Sequence, residues 1–172
     1  MTTMNRNIEE GGSKLTRILV VYESKYGNTR LVAEKIIEGM TETEEIEAVL
    51  SEVKKVDLND VVNYDAILIG SPNHIGRPTG SIRKFIDKVG KLGLKKKWTA
   101  VFDTYLGKDF EKAVKKMEKR ISEEAPGLKI IAPGLSIRVQ GMKGPITEGE
   151  LTKAKEFGNQ IASRSARATG EN

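Results

Sequence analysis

A repeated alternation constrains this chain more than any other feature. Short apolar, β-branched runs trade places with longer segments whose apolar residues recur every three or four positions. Arg17 to Tyr22 (RILVVY) has the continuous apolar character of a strand buried on both faces. Thr29 to Met40 follows, with Leu31, Val32, Ile36 and Met40 at helical spacing and Gly39 near its end. Glu45 to Leu50 alternates as a short strand does. Asp65 to Pro72 (DAILIGSP) reads as a buried strand stopped by a turn. Ser81 to Val89 reads as a helix with Ile82, Phe85, Ile86 and Val89 on one face. Trp98 to Thr104 is a further strand, and Asp109 to Glu124 a strongly charged amphipathic helix. Leu128 to Val139 is extended, with a bend at Pro133-Gly134. Glu148 to Arg164 closes the series, with Leu151, Ala154, Phe157, Gly158 and Ile161 as its inner stripe.

Five βα units in a row predict an α/β fold, a doubly wound five-stranded parallel sheet with helices on both faces and strand order 2-1-3-4-5. Ligands of such sheets sit beyond the carboxyl ends of the strands, where the winding reverses. For this order the reversal lies between the first and third strands. The residues after Tyr22, Gly70 and Asp103 are therefore the ones that face a ligand.

The length, 172 residues, suits one domain with a real core. The domain is expected over residues 17–165. A polar tail with a Gly11-Gly12-Ser13 joint is expected over 1–16, and a second frayed tail over 166–172. The chain has no cysteine and one histidine, His74. Thiolate catalysis, zinc-thiolate sites, iron–sulfur ligation by this chain and multi-histidine metal sites are excluded. No signal segment is visible, and no apolar run is long enough to span a membrane, so a cytoplasmic protein is expected. Lys and Arg exceed Asp and Glu by 29 to 24. The surplus concentrates in Lys95 to Lys97, in Lys112 to Arg120 and near the C-terminus. Solvated helix faces are one reading of these runs, and a docking surface for an acidic partner is the other. The basic runs lack interleaved aromatics, which argues against nucleic acid.

The first strand stops in ESKYGNT, directly before a helix. A helix N-terminus offers unpaired N–H groups and a partial positive charge, both suited to phosphate. Gly27 permits close backbone approach, Ser24 and Thr29 offer hydroxyls, Asn28 offers an amide, and Thr29 is also a candidate helix cap. Neither GxxxxGK[ST] nor GxGxxG is present. From these residues alone, a phosphate loop and an ordinary capped turn both stand.

SKYGNT resembles the phosphate loop of the flavodoxins, [ST]-x-[ST]-G-N-T, with Tyr26 replacing the usual small hydroxyl residue. YDAILIGSPNHIGRPTGSIRKFID resembles that family's third strand and first flavin loop. AVFDTYLGKDFEKAVKKM resembles the fourth strand and second flavin loop. GLSIRVQGMKGPITEGELTKAKEFGNQIA resembles the closing segment of short-chain, prokaryotic and especially archaeal, members. The likeness covers Arg17 to Ser163. It implies a flavodoxin-like three-layer sandwich that binds FMN. The phosphate would lie on Lys25, Tyr26, Gly27, Asn28 and Thr29, with Ser24 adding a side-chain bond. The ring would lie between two loops. Ser71, Pro72, Asn73, His74, Ile75 and Gly76 belong to the first, and Asp103, Thr104, Tyr105, Leu106 and Gly107 to the second. Tyr105 is the aromatic placed to stack on the ring. Trp98, at the start of its strand, is expected some 20 Å away, at about 3.3 Å per residue. His74 either touches the ring or is a plain loop residue. Arg77, a cation in the ring loop, would favour the anionic reduced flavin.

The resemblance further implies an electron carrier that exchanges electrons with redox partner proteins, rather than a self-contained enzyme. The alternative is an FMN-dependent NAD(P)H:quinone or flavin oxidoreductase of the same fold. A signalling receiver is disfavoured, because Gly70-Ser71 stands where its phosphorylated Asp would be.

Overall fold

The computed structural model describes residues 15–170. The glycine joint and most of the expected N-terminal tail lie outside them. Each apolar run becomes a strand: β1 Thr16–Tyr22, β2 Ile46–Glu52, β3 Ala66–Pro72 and β4 Lys97–Tyr105. Four helices alternate with them: α1 Asn28–Met40, α2 Gly80–Lys91, α3 Lys112–Glu124 and α4 Glu150–Gly170. Two 3₁₀ segments, Val53–Lys55 and Leu58–Asn63, link β2 to β3. The strands are parallel in the order β2-β1-β3-β4-β5, as the alternation predicts.

The period of two along β1 shows how one strand feeds two cores. Ile18 and Val20 pack with Val32, Ile36 and Met40 of α1, and with Phe157 and Ile161 of α4. Leu19 and Val21 pack with Ile82, Phe85 and Val89 of α2, and with Met117 and Ile121 of α3. Full burial of each such side chain stabilises by about 1.5–3 kcal/mol, so both helical layers are tightly held.

Three boundaries differ from expectation, each for a physical reason. The extended stretch Leu128 to Val139 is two short strands, β5 Leu128–Ile130 and β6 Leu135–Arg138. Both lie on β4, at opposite ends of it, which makes six strands rather than five. Pro133 has no N–H to give the ladder. Gly134 beside it donates instead to Glu118 Oε2 of α3 at 2.9 Å. Helix α3 starts at Lys112, not Asp109, because Glu111 takes φ 63 and breaks the helical path. Helix α4 runs six residues beyond Arg164, through residues expected to be frayed, because Ala162 and Ala168 still pack on the core.

Candidate functional site

Strand β1 brings the chain to the carboxyl edge of the sheet, where it turns through Ser24 to Gly27 and enters α1. Gly27 precedes the helix with φ 93, the left-handed region that glycine adopts without strain. Ser24 Oγ sits inside the turn and accepts bonds from Gly27 N at 3.1 Å and Arg30 N at 3.3 Å. Among the described residues the amides of Lys25, Tyr26, Asn28 and Thr29 donate to no protein acceptor. Open donors at the positive end of a helix form a receptor for an anion. Thr29 is not the cap that its position suggests: its hydroxyl is buried and pairs with Thr104 Oγ1 at 3.0 Å, tying α1 to β4. Ser24 supplies the hydroxyl to the first helical turn instead.

The cup has a second wall that the local motif does not reveal. Residues 139–146 form a hairpin, with Val139 bridged to Ile146 and Gln140 N donating to Pro145 O. It leans on the start of α1. A Cβ placed on Gly144 would stand 2.7 Å from Asn28 Oδ1. The same hairpin brings Lys143 Nζ to 5.9 Å from the Tyr26 ring centroid, with Lys25 Nζ at 5.5 Å. Tyr26 thus orients two cations beside the open amides.

The two expected ring loops follow β3 and β4. The first is pinned from within. His74 and Arg77 exchange backbone bonds of 2.7 and 3.1 Å, which forces Ile75 to φ 53 and Gly76 to φ 74 between them. A β-branched residue in that region is strained by about 1–3 kcal/mol, and Ile75 is 78% exposed there. Asn73 braces the loops against each other. Its N donates to Thr104 O at 2.8 Å, its Nδ2 to Asp109 O at 3.1 Å, and its Oδ1 accepts from Gly76 N at 2.8 Å. Ser71 Oγ is spent in the same way, donating to Pro72 O and accepting from Thr79 N. Thr79 in turn donates to Glu23 Oε1 and caps α2 through Ile82 N.

Strand β4 ends in Asp103, Thr104 and Tyr105, all buried. Asp103 Oδ2 accepts from Val114 N at 3.1 Å, at the start of α3, and Oδ1 accepts from Ser136 Oγ at 2.6 Å, on β6. Ser136 Oγ itself accepts from Glu111 N at 3.0 Å. Burial pushes the Asp103 carboxyl up to about 7, against the opposing pull of these hydrogen bonds, with Glu111 adding to the rise. Asp103 therefore fixes the far end of the second loop from beneath. Tyr105 packs edge-on against Phe110, with ring centroids 5.4 Å apart.

Of the residues singled out from sequence, Lys25, Tyr26, Gly27, His74, Ile75, Leu106 and Gly107 are exposed at this edge, and Ser24, Asn28, Pro72 and Asn73 are half-buried. Thr29, Ser71, Gly76, Asp103, Thr104 and Tyr105 are buried, and four of these spend their polar side-chain atoms on holding the loops. Ser136, Phe110, Lys143 and Gly144 escaped notice. The Gly-x-x-Gly-Pro run from Gly141 was the available turn signal for the hairpin. Trp98 lies at the other end of β4, buried, as its position requires.

The family model of the flavodoxin domain matches residues 19–139. A flavodoxin of Aquifex aeolicus is 33% identical over 73 residues, 42% of this chain and 40% of that protein. A protein of Cupriavidus metallidurans named NAD(P)H dehydrogenase (quinone) is 31% identical over 100 residues, 47% of this chain and 50% of that protein. The chain thus spans half or less of these curated relatives. A solved flavodoxin from the domain Archaea superposes with a TM-score of 0.74 at 26% identity, covering 88% of this chain and 99% of its own.

Proposed function

This chain belongs to the flavodoxin domain family, and from that premise we propose that it binds FMN and carries electrons between redox proteins in the cytoplasm. The open amides of Lys25, Tyr26, Asn28 and Thr29 carry the reading, since a helix N-terminus with four free donors is suited to a phosphate dianion. The chain's own residues fit the rest of the group. Ser24 holds the turn, Lys25 and Lys143 add positive charge beside it, and Asn28 is backed by Gly144. Pro72, His74, Ile75 and Gly76 line one side of the ring position, and Tyr105, Leu106 and Gly107 the other. Ser71, Asn73, Asp103 and Thr104 act behind them, holding both loops in place. The bound flavin would supply reversible one- and two-electron chemistry, and the protein would supply its binding and its electrostatic surroundings. Among the described residues no helix is long and apolar enough to cross a membrane.

Titration of the purified chain with FMN tests the reading. Quenched flavin fluorescence and a visible absorption band that co-elutes with the protein are expected. A colourless protein that leaves FMN fluorescence unchanged contradicts it.

The similarity to the Cupriavidus protein supports a second reading, an FMN-dependent NAD(P)H:quinone or flavin oxidoreductase. Sustained oxidation of NAD(P)H by the FMN-loaded chain with a quinone would favour it over the carrier.

A further inference from the structure

The loops around the candidate site expose an unusual share of apolar side chains. Nine large apolar residues are well exposed among the described residues, and five of them stand on these loops and the adjoining hairpin: Tyr26, Ile75, Leu106, Phe110 and Met142. Phe110 is 55% exposed and Met142 71%. Scattered single residues of this kind need no explanation, but clustering at one edge marks a contact surface.

Charge at the same edge is divided unequally. Most of the acids are engaged by the protein itself, the exposed Glu148 just past the hairpin excepted. Asp109 pairs with Lys112, Glu111 with Lys115 and Glu150 with Lys153, while Glu23 accepts from Thr79. Lys25, Arg77, Lys116 and Lys143 have no carboxylate within ion-pair distance among the described residues. Two of these cations flank Tyr26. Lys116 Nζ comes within 4.0 Å of the Cβ position of Gly76, next to Ile75. Apolar side chains are thus interleaved with unpaired positive charge.

We propose that this edge is the docking surface for a redox protein whose own contact face is apolar at its centre and acidic at its rim. The inference rests on the FMN reading above and names the chemistry of the partner. Complementary charge would steer the encounter and set the orientation, and the apolar centre would exclude water from the contact. Lysines elsewhere, such as Lys84, Lys88 and Lys119, also have no carboxylate within ion-pair distance among the described residues, but no cluster of exposed large apolar side chains accompanies them.

Two haem proteins of opposite charge serve as probes: cytochrome b5, acidic around its haem edge, and cytochrome c, basic around its own. The FMN-loaded chain is reduced and mixed with each in a stopped-flow instrument. Every transfer takes one electron from the flavin and reduces one ferric haem to ferrous. The rate with cytochrome b5 should fall about fivefold or more between about 20 and 300 mM salt. The rate with cytochrome c should rise or stay level. Arg77→Glu with Lys116→Glu should slow cytochrome b5 about fivefold at low salt and reverse its salt dependence. Met142→Ser should slow it about twofold at 300 mM salt, where charge is screened. Rates are normalised to those with neutral 1,4-benzoquinone, which separates docking from any change in flavin reactivity. A salt-independent rate, or faster reaction with cytochrome c at low salt, overturns the docking surface. So does a single-stranded oligonucleotide that binds this edge more tightly than cytochrome b5 does. Failure to take up FMN overturns the underlying reading instead.

Discussion

The two ends of the sheet differ in what they offer a ligand. The amino end holds a cleft of about 880 Å³ lined by Leu15, Trp98, Lys96, Lys97, Lys129 and residues of α4. The carboxyl end has tight loops braced across one another by Asn73 and Asp103. Yet the carboxyl end collects the open helix amides, the left-handed residues Gly27, Ile75, Gly76 and Gly107, and the buried Asp103. In a parallel sheet every strand delivers its following loop, and every following helix its N-terminus, to that one end. Donors converge where the topology sends them, whatever hollow the other end holds.

The comparison breaks most easily at Trp98. Trp98→Ala removes a buried aromatic from the amino end and should destabilise the fold by about 3–5 kcal/mol, read by chemical denaturation. FMN affinity of the protein that remains folded should not change. If affinity falls instead, the amino-end cleft is the ligand site.

Asp103 sharpens the contrast from the other side. Its folded carboxyl is raised to about 7 from an ordinary 3.8, so the native state holds a proton that the unfolded chain has released over that window. Stability should therefore fall as pH rises from about 4 to about 7, by a total on the order of 4 kcal/mol. Asp103→Asn should flatten that slope, measured as Tm against pH. A slope that survives the substitution would assign it to other groups.

Gly27→Val tests the cup. A β-branched residue at φ 93 is strained, and the turn must move to relieve it. FMN should bind about 100-fold more weakly, roughly 2.7 kcal/mol, while riboflavin should be affected far less. Equal losses for both would place the effect in the fold rather than in the amides.

Much of this was legible in the sequence. The alternation of strands and helices and the first βα junction could be read because both are written locally, in hydrophobic period and in the run Ser24 to Thr29, and the strand order followed from the number of such units. The brace between Asp103 and Ser136 could not. Each residue is unremarkable alone, and only the pairing of β4 with β6 brings them together. The hairpin over Asn28 escaped for the same reason, because its partner lies at the other end of the chain. Pro133-Gly134 announced a bend, but that both halves return to β4 is a tertiary fact. The extension of α4 likewise depends on where Ala168 lands, not on its local propensity.

Arg77 carries the smallest expected effect. It is exposed and its charge is partly screened by solvent. Arg77→Ala should lower the potential of the final flavin reduction step by about 30 mV, on a scale where 59 mV is a tenfold change for one electron. Spectroelectrochemistry of both proteins measures it, and an unchanged potential places the guanidinium away from the ring.

The central claim is that backbone amides at the mouth of the sheet hold a phosphate. Paired fluorescence titrations of the chain with FMN and with riboflavin test it most directly, since the two ligands share the ring and differ in the phosphate. The account predicts that FMN binds at least about 100-fold more tightly. Equal affinities would mean that the phosphate finds no partner at the Lys25 to Thr29 turn.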